Sequence, residues 1–304
     1  MSRYVRTDLA MELQKSVKKS VNGLSFHVEE PQEGIRITRV AVESEEAEAA
    51  LGKAQGKYVT LEAAEIGTRD PMLEEAMSHL MAQELMRILP EPGRNDAVLV
   101  VGLGNEQVTP DALGPRTVEK LMVTRHLLEM MPEAMDKRIR PVCAIAPGVL
   151  GETGIETAEV VRGVVDRIHP CAVVAVDALA SRDSQRIGAA IQISDAGLQP
   201  GSGVGNRRME LNRETLGCPV IAIGIPTVVC AATIVRDALQ QLSGSDEMAD
   251  EAMEKLGREA LPGLVVTPRE VDVLVEDAAR RLAMGLNLWL QEGLTIEEIE
   301  TFLH

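Results

Sequence analysis

Aromatic residues are nearly absent from this chain. Phe, Trp and Tyr together make up 2% of its 304 residues. The sequence therefore offers no aromatic stacking platform for single-stranded nucleic acid. Val, Ile, Leu, Met and Ala have to fill the core, and aliphatic filling of this kind suits a buried parallel sheet covered by helices.

Positive charge and long apolar runs are also scarce. The chain has 31 Lys and Arg against 47 Asp and Glu, a formal net charge of −16. An acidic surface repels phosphate backbones, so we expect no direct binding of nucleic acid. No stretch is long and apolar enough for a membrane span, and the first residues contain no apolar signal-like run. These absences predict a cytoplasmic protein without a membrane partner.

The motifs of several common chemistries are missing. No G-x-G-x-x-G, Walker A, G-x-S-x-G or H-E-x-x-H pattern occurs. The cysteines are far apart and the histidines lack ligand spacing, so we expect neither a metal nor a cofactor. These residues are Cys143, Cys171, Cys218, Cys230, His27, His79, His126, His169 and His304.

Short apolar runs alternate with helical stretches along most of the chain. AVLVVGLGN, PVCAIAPG and CAVVAVDA are continuous apolar runs, which is typical of buried strands, and GAAIQISD and PVIAIGIP are further strand candidates. Strands that alternate with helices indicate βαβ units. The sequence therefore predicts an α/β fold, an open twisted and mainly parallel sheet flanked by helices.

Helix signals are clear at a few places. Asp70 and Pro71 predict a helix start with Asp70 as the N-cap. Periodicity predicts helices over 110–131 and 227–242 and a loop or surface insertion over 243–263. Thr267, Pro268 and Glu270 predict a capping box at the start of a later helix.

Two aspartates follow apolar strands at the places where ligands bind in open parallel sheets. Asp111 lies in GLGNEQVTPDALGP and Asp177 in VDALASR. Burial at the end of a strand should raise the pKa of Asp177, whereas a helix start should favour the ionised form of Asp111. If the side chains converge, one serves as an acid and the other as a base. Alternatively, Asp111 is a favourable acid in a helix's first turn and Asp177 caps a turn.

Three further polar residues accompany these acids. Thr109 is predicted to be a helix cap rather than a catalyst, and Asn105 to hydrogen-bond locally in its turn. Arg182 either orients a carboxylate or is solvated. The residues alone support an α/β protein with an acidic site at its strand ends.

Several long motifs in one order resemble the germination protease family of spore-forming bacteria. They are GLGNEQVTPDALGP, APGVLGETGIET, VDALASR, ISDAGLQPGSGVGN and ETLGCPVIAIGIPTVV, with RTDLAMEL, KYVTLEA and VTPREVDVLVED towards the two ends. The resemblance implies a fold similar to that of hydrogenase-maturation peptidases. It also implies an endopeptidase that degrades small acid-soluble spore proteins during germination, in the forespore and spore core.

The family's properties carry over to particular residues. The resemblance implies that Asp111 and Asp177 are catalytic and that the protein is a homotetramer made as a zymogen. It places the processing bond between Asp8 and Leu9, in an exposed arm, which leaves residues 1–8 as a pro-segment and 9–304 as one peptidase domain. The polar stretch before Val266 is shorter than in typical members. This difference puts in doubt whether the family's surface loops or assembly carry over to this chain.

Two other functions stay open at this point. One is a metal-assisted peptidase of the same broad fold, in which the aspartates hold a cation. The other is a non-enzymatic α/β module that binds a small anion at its glycine-rich turns.

Overall fold

A computed structural model describes residues 6–17, 20–63, 70–89, 95–199, 209–256 and 263–303. Within these residues nine strands form one sheet in the order β1-β2-β3-β7-β8-β6-β4-β5, and β9 pairs with β8. The strands are β1 (Leu24–Gln32), β2 (Ile35–Val42), β3 (Gly56–Ala63), β4 (Val98–Gly102), β5 (Val142–Ile145), β6 (Ala172–Ser181), β7 (Ala190–Ser194), β8 (Val220–Cys230) and β9 (Val265–Val266).

The sheet has two halves of different character. Strands β5, β4, β6 and β8 run parallel to one another and form the parallel half. Strands β7, β3, β2 and β1 pair antiparallel and form the antiparallel half, which joins the first through the β7–β8 pair. The α/β prediction is confirmed, and the antiparallel half makes the sheet mixed.

Helices cover both faces of the sheet. They are α1 (Glu45–Leu51), α2 (Pro71–Ile88), α3 (Leu113–Val118), α4 (Arg125–Met130), α5 (Leu150–Thr153), α6 (Thr157–Ile168), α7 (Arg213–Leu216), α8 (Ala231–Ser243), α9 (Asp246–Leu256), α10 (Val271–Leu290) and α11 (Ile296–Leu303). Short 3₁₀ helices span Ala10–Ser16, Thr109–Asp111 and Ser184–Arg186. None of the helices in the described part of the chain is long and apolar enough to cross a membrane.

The largest core lies on one face of the sheet, which we call the helix face, where α2 and α10 pack against both halves. Alternate residues of the same strands point to the opposite face, because successive side chains along a strand change sides. That opposite face carries two smaller clusters. One lies between α6 and the parallel half, and the other packs Ala10 and Leu13 against α1, β2 and β3.

Close backbone contact holds α3 against β4 and β6. A Cβ added at Gly114 would lie 2.3 Å from the backbone nitrogen and oxygen of Leu103 and 2.6 Å from the oxygen of Val176. Real side chains do not tolerate such distances, so only glycine fits there. This packing fixes the segment that carries Asp111 relative to β6.

Several helix predictions need correction. The predicted helix over 110–131 is interrupted, because α3 ends at Val118 and α4 begins at Arg125. Residues 227–230 belong to β8, so that helix begins only at Ala231, and the predicted loop over 243–263 contains α9. At residues 227–230 the periodicity of a short window did not show whether the apolar residues belong to the strand or to the helix that follows it.

The two predicted caps had different outcomes. Asp70 caps α2 as predicted, since its carboxylate accepts from the Met72 N–H at 3.0 Å. The capping box at Thr267 is wrong: α10 begins at Val271, and the Thr267 hydroxyl donates to the Thr227 carbonyl oxygen at 2.8 Å. Thr267 therefore ties the chain before α10 to β8.

Candidate active site at the strand ends

Asp177 lies in β6 at the point where its neighbour β4 ends. Val176 is opposite Gly102, the last residue of β4, and Asp177 is opposite Gly224 of β8. Its side chain is buried, and Oδ1 accepts from the N–H of Ala178 at 2.9 Å. Because β6 continues to Ser181, Asp177 does not cap a turn.

Asp111 ends the 3₁₀ helix Thr109–Asp111, which follows β4 and packs against β6 and β8. Its Oδ2 accepts from the N–H of Asn105 at 2.7 Å, and the Thr227 hydroxyl of β8 donates to the Pro110 carbonyl oxygen at 2.7 Å. These bonds fix the segment from both sides. Thr109 is not the predicted cap, because Val108 occupies that position without any side-chain hydrogen bond.

The environment of Asp111 differs from the expected one. Burial raises the pKa of its carboxyl, the Asn105 N–H opposes that rise, and the negative charge of Glu152 adds to it. The expectation that a helix start would favour the ionised form is wrong, because the 3₁₀ helix is one turn long and burial outweighs it. Asp111 therefore holds its proton to a higher pH than an ordinary aspartate does.

The two acids lie near the carboxyl end of β4, Asp111 in the 3₁₀ helix after that strand and Asp177 in the neighbouring parallel strand β6. The Leu103 N–H, just beyond β4, donates to the Val176 oxygen at 2.8 Å, next to Asp177. A Cβ added at Gly104 would lie 3.2 Å from the carboxyl carbon of Asp111, so the turn after β4 closes tightly around that carboxyl. This is the edge at which open parallel sheets bind ligands.

Asn105 and Arg182 have well-defined contacts. The Asn105 side chain accepts from the Gln107 N–H at 2.8 Å, which is the predicted local role. The Arg182 guanidinium binds both carboxylate oxygens of Asp237 at 2.7 and 2.8 Å. Arg182 is therefore not merely solvated, and the carboxylate that it orients is Asp237.

Asp8 and Leu9 do not lie in an exposed arm. Leu9 is fully buried, and Asp8 pairs with the end of β6: its N–H donates to the Ala180 oxygen and its carboxylate accepts from the Ala180 N–H, both at 2.8 Å. The expectation of exposure is corrected, because apolar Leu9 and Ala10 are buried with this segment. Whether the Asp8–Leu9 bond is the processing site stays a prediction.

Four residues further on, Glu12 is buried against the residues that follow β6. Its carboxylate accepts from the N–H groups of Arg182 and Asp183 at 2.7 and 3.1 Å and from the Arg186 guanidinium at 3.0 Å. The Thr7 hydroxyl donates to it as well. The stretch Thr7–Glu12, which we call the seated segment, is thus held at both ends.

Comparison with known proteins decides the family. The family model described as germination protease matches residues 4–245. The chain belongs to the germination protease family. Proteins named germination protease are 43% identical in Clostridium perfringens and 45% in Caldanaerobacter subterraneus, over 99% of this chain and 99% and 98% of theirs. The Bacillus cereus protein of that name is 38% identical over 100% of this chain and 98% of its own.

Germination proteases are peptidases, so this chain is a hydrolase of peptide bonds. The alignment with the Bacillus cereus germination protease extends over 363 positions, whereas this chain has 304 residues. The relative therefore carries residues that this member of the family lacks.

The cysteines of this germination protease homologue are poor candidates for a nucleophile. All four are free, and burial raises the pKa of each thiol. A thiol needs a lowered pKa to attack at neutral pH. Among the described residues no group of three or more His, Cys, Asp or Glu side chains has the arrangement of a metal site.

Three residues near the site were missed from the sequence. Glu152 acts on the pKa of Asp111, and Lys53 and Gln192 contact the seated segment. Glu152 lies in the family motif APGVLGETGIET, which was a usable signal. Lys53 follows a short helix and Gln192 sits inside a strand, and neither position differs in pattern from ordinary surface residues.

Proposed function

We propose that this chain is an endopeptidase that degrades small acid-soluble spore proteins during germination, with Asp111 and Asp177 as its catalytic pair. The observation that carries the proposal is the position of two acids where β4 ends: Asp111 lies in the 3₁₀ helix after β4, with a pKa raised by burial, and Asp177 lies in the adjacent parallel strand β6. Two acids in unlike environments divide naturally into a proton donor and a proton acceptor.

The proposed reaction needs one water molecule and the two carboxyl groups. Asp177 as the carboxylate takes a proton from the water, and the water oxygen bonds to the carbonyl carbon of the substrate. Asp111, whose pKa is raised by burial, acts as the acid and gives a proton to the leaving amine as the C–N bond breaks. The products are a free carboxyl group and a free amine, and a proton passing from Asp177 to Asp111 restores the starting state.

The chain is proposed to act first on itself. Cleavage between Asp8 and Leu9 removes residues 1–8 and leaves 9–304 as the mature peptidase. The proposal places the enzyme as a homotetramer in the forespore and spore core, where the substrates coat DNA. The enzyme itself makes no contact with that DNA, in keeping with its net charge of −16.

The test is cleavage of a purified small acid-soluble spore protein by the full chain after it has processed itself. We expect fragments from that substrate, none from a folded control protein of similar size, and none when the Asp177→Asn chain replaces the enzyme. Intact substrate after prolonged incubation with the unsubstituted chain would contradict the proposed activity.

Thorough chelation distinguishes a metal-assisted peptidase from the acid pair. The proposed mechanism expects an unchanged rate in the chelator. Loss of activity that a divalent cation restores would instead favour a metal held by the two aspartates.

A further inference from the structure

Asp177 belongs to a row of residues that crosses the sheet from one half to the other. It lies opposite Gly224 of β8, Gly224 lies opposite Gln192 of β7, and Gln192 lies opposite Thr60 of β3. Residues directly opposite on paired strands point to the same face. All four therefore face away from α2 and α10, since their neighbours along each strand fill the core on the helix face.

The row is polar in a sheet whose other side chains are mostly apolar. It passes between the two clusters of the opposite face, the one under α6 and the one around Ala10. Gln192 and Thr60 are buried, and the Thr60 hydroxyl has no hydrogen-bond partner within the described ranges. Gly224 has no side chain of its own, and the Leu179 side chain of β6 packs over it, since a Cβ added at Gly224 would lie 2.6 Å from Leu179 Cγ. Gln192 and Asp177 lie about two strand spacings, or roughly 10 Å, apart.

The seated segment lies against this row, and Gln192 grips it at two points. The Gln192 side-chain nitrogen donates to the Asp8 carbonyl oxygen at 2.8 Å, and its oxygen accepts from the Ala10 N–H at 2.7 Å. The two bonds flank Leu9. One amide side chain therefore fixes the main chain on both sides of the residue that follows the proposed processing bond.

Lys53 adds a second donor to the same carbonyl oxygen. Its Nζ lies 2.9 Å from the Asp8 oxygen and 3.3 Å from the Thr7 oxygen. Two donors on one carbonyl oxygen draw charge from the carbonyl carbon. They also stabilise the negative charge that develops on the oxygen when water adds, which is the arrangement of an oxyanion hole.

We propose that Gln192 and Lys53 position and polarise the carbonyl of the peptide bond to be cut, first Asp8–Leu9 and then the corresponding bond of substrates. This inference rests on the proposed function, since it assigns the two donors to the same site as the acids. Gln192 and Asp177 stand in one row on one face of the sheet, so the bond that Gln192 holds and the acid lie on the same side of the sheet.

A different result is expected if Gln192 has a purely structural role. If Gln192 only held the segment in place, its loss would free the segment and leave cleavage as fast or faster. If it positions the bond, its loss frees the segment and slows cleavage. Gln192→Glu separates the two readings, because a carboxylate still accepts from Ala10 but no longer donates to the Asp8 oxygen.

The experiment follows self-processing of the full chain by mass spectrometry, together with hydrogen exchange at the Ala10 amide. We expect Gln192→Glu to keep Ala10 protected while the fragment beginning at Leu9 appears about 10²-fold more slowly. Lys53→Met should also slow cleavage, and Lys53→Arg should restore most of the rate. Gln55→Leu, at an exposed glutamine outside the row, should process as the unsubstituted chain does.

The outcomes separate the two proposals. Processing of Gln192→Glu and Lys53→Met at the unsubstituted rate, with Asp177→Asn inactive, overturns the positioning role and leaves the proposed function standing. A rate in Gln192→Leu that rises along with Ala10 exchange also overturns it, because the residue is then only a tether. Absence of cleavage in the unsubstituted chain overturns both proposals.

Discussion

The two halves of the sheet place their polar residues in different ways. In the parallel half Asp177 appears where β4 has ended, and Asp111 follows the turn after β4. In the antiparallel half Gln192 lies inside β7, between two core isoleucines, and meets the seated segment across the face of the sheet. The candidate acids of the parallel half thus lie where a strand ends, whereas Gln192 of the antiparallel half lies within a strand, in a row of residues that crosses the sheet. An active site that needs both a pair of acids and a side chain that holds a peptide would use residues from both halves of the sheet.

The largest expected effect is in the parallel half. Asp111→Asn and Asp177→Asn should each lower the rate of peptide cleavage by about 10²–10⁴-fold, because each removes one partner in proton transfer. Rates measured on a fixed peptide substrate, with circular dichroism to show that the variants are folded, test this. Near-normal turnover by either folded variant would remove the acid pair from the mechanism.

The parallel half should also be sensitive to close backbone packing. Gly114→Ala places a Cβ against backbone atoms of Leu103 and Val176, so it should lower the free energy of unfolding by about 3 kcal/mol or more. Urea unfolding measures this. Gly163→Ala is the matched control, since nothing lies within 4 Å of its added Cβ in α6, and it should stabilise by about 0.5–1 kcal/mol. Equal effects of the two changes would contradict the packing argument.

The antiparallel half depends instead on a buried ion pair. Glu84 of α2 is buried and binds the Arg39 guanidinium of β2 at 2.6 and 2.9 Å. Glu84→Gln should lower the free energy of unfolding by about 2–3 kcal/mol. This loss is smaller than that expected for a fully buried pair, because Arg39 is partly solvated and keeps its bond to Glu29. Glu75→Gln, at an exposed glutamate of the same helix, should change unfolding by less than about 0.5 kcal/mol. A larger loss at Glu75 would show that charge on α2, not the pair with β2, is what matters.

The smallest effect concerns stability and pH. Folding raises the pKa of Asp111, so the folded state prefers its protonated form, and the stability that this residue contributes falls as pH rises through the raised pKa. Asp111→Asn removes that fall while Oδ1 of the asparagine still accepts from the Asn105 N–H. The melting temperature of the variant, relative to the unsubstituted chain, should therefore increase from acidic to neutral pH. If the difference in melting temperature were constant with pH, the titration of Asp111 would not contribute to stability in this range.

The sequence showed much more of the parallel half than of the other. Continuous apolar runs identified β4, β5 and β6, and the aspartates that follow the first and third of these runs, Asp111 and Asp177, became the candidates. In the antiparallel half GAAIQISD was predicted to be a strand and contains β7, but the role of Gln192 was missed because alternation in AIQIS normally means one solvated face. Here the seated segment covers that face, and a contact between residues 182 positions apart has no local signature.

The pKa of Asp111 and the contact of Arg182 were missed for a related reason. Local sequence indicated a helix start for Asp111, but the amount of water around a carboxyl is decided by how α3, β4 and β6 pack. Arg182 lies five residues after Asp177, yet its guanidinium partner Asp237 comes from α8. Tertiary packing decides both, and spacing along the chain does not report it.

The scarcity of aromatic residues gives the molecule a built-in optical probe. Its one tryptophan, Trp289, is buried in α10 within the core of the helix face. Its fluorescence therefore reports loosening of the layer formed by α2 and α10, while release of Thr7–Glu12 on the opposite side of the sheet leaves its surroundings unchanged. Emission recorded during self-processing would thus separate loss of the seated segment from unfolding of the enzyme in a single cuvette.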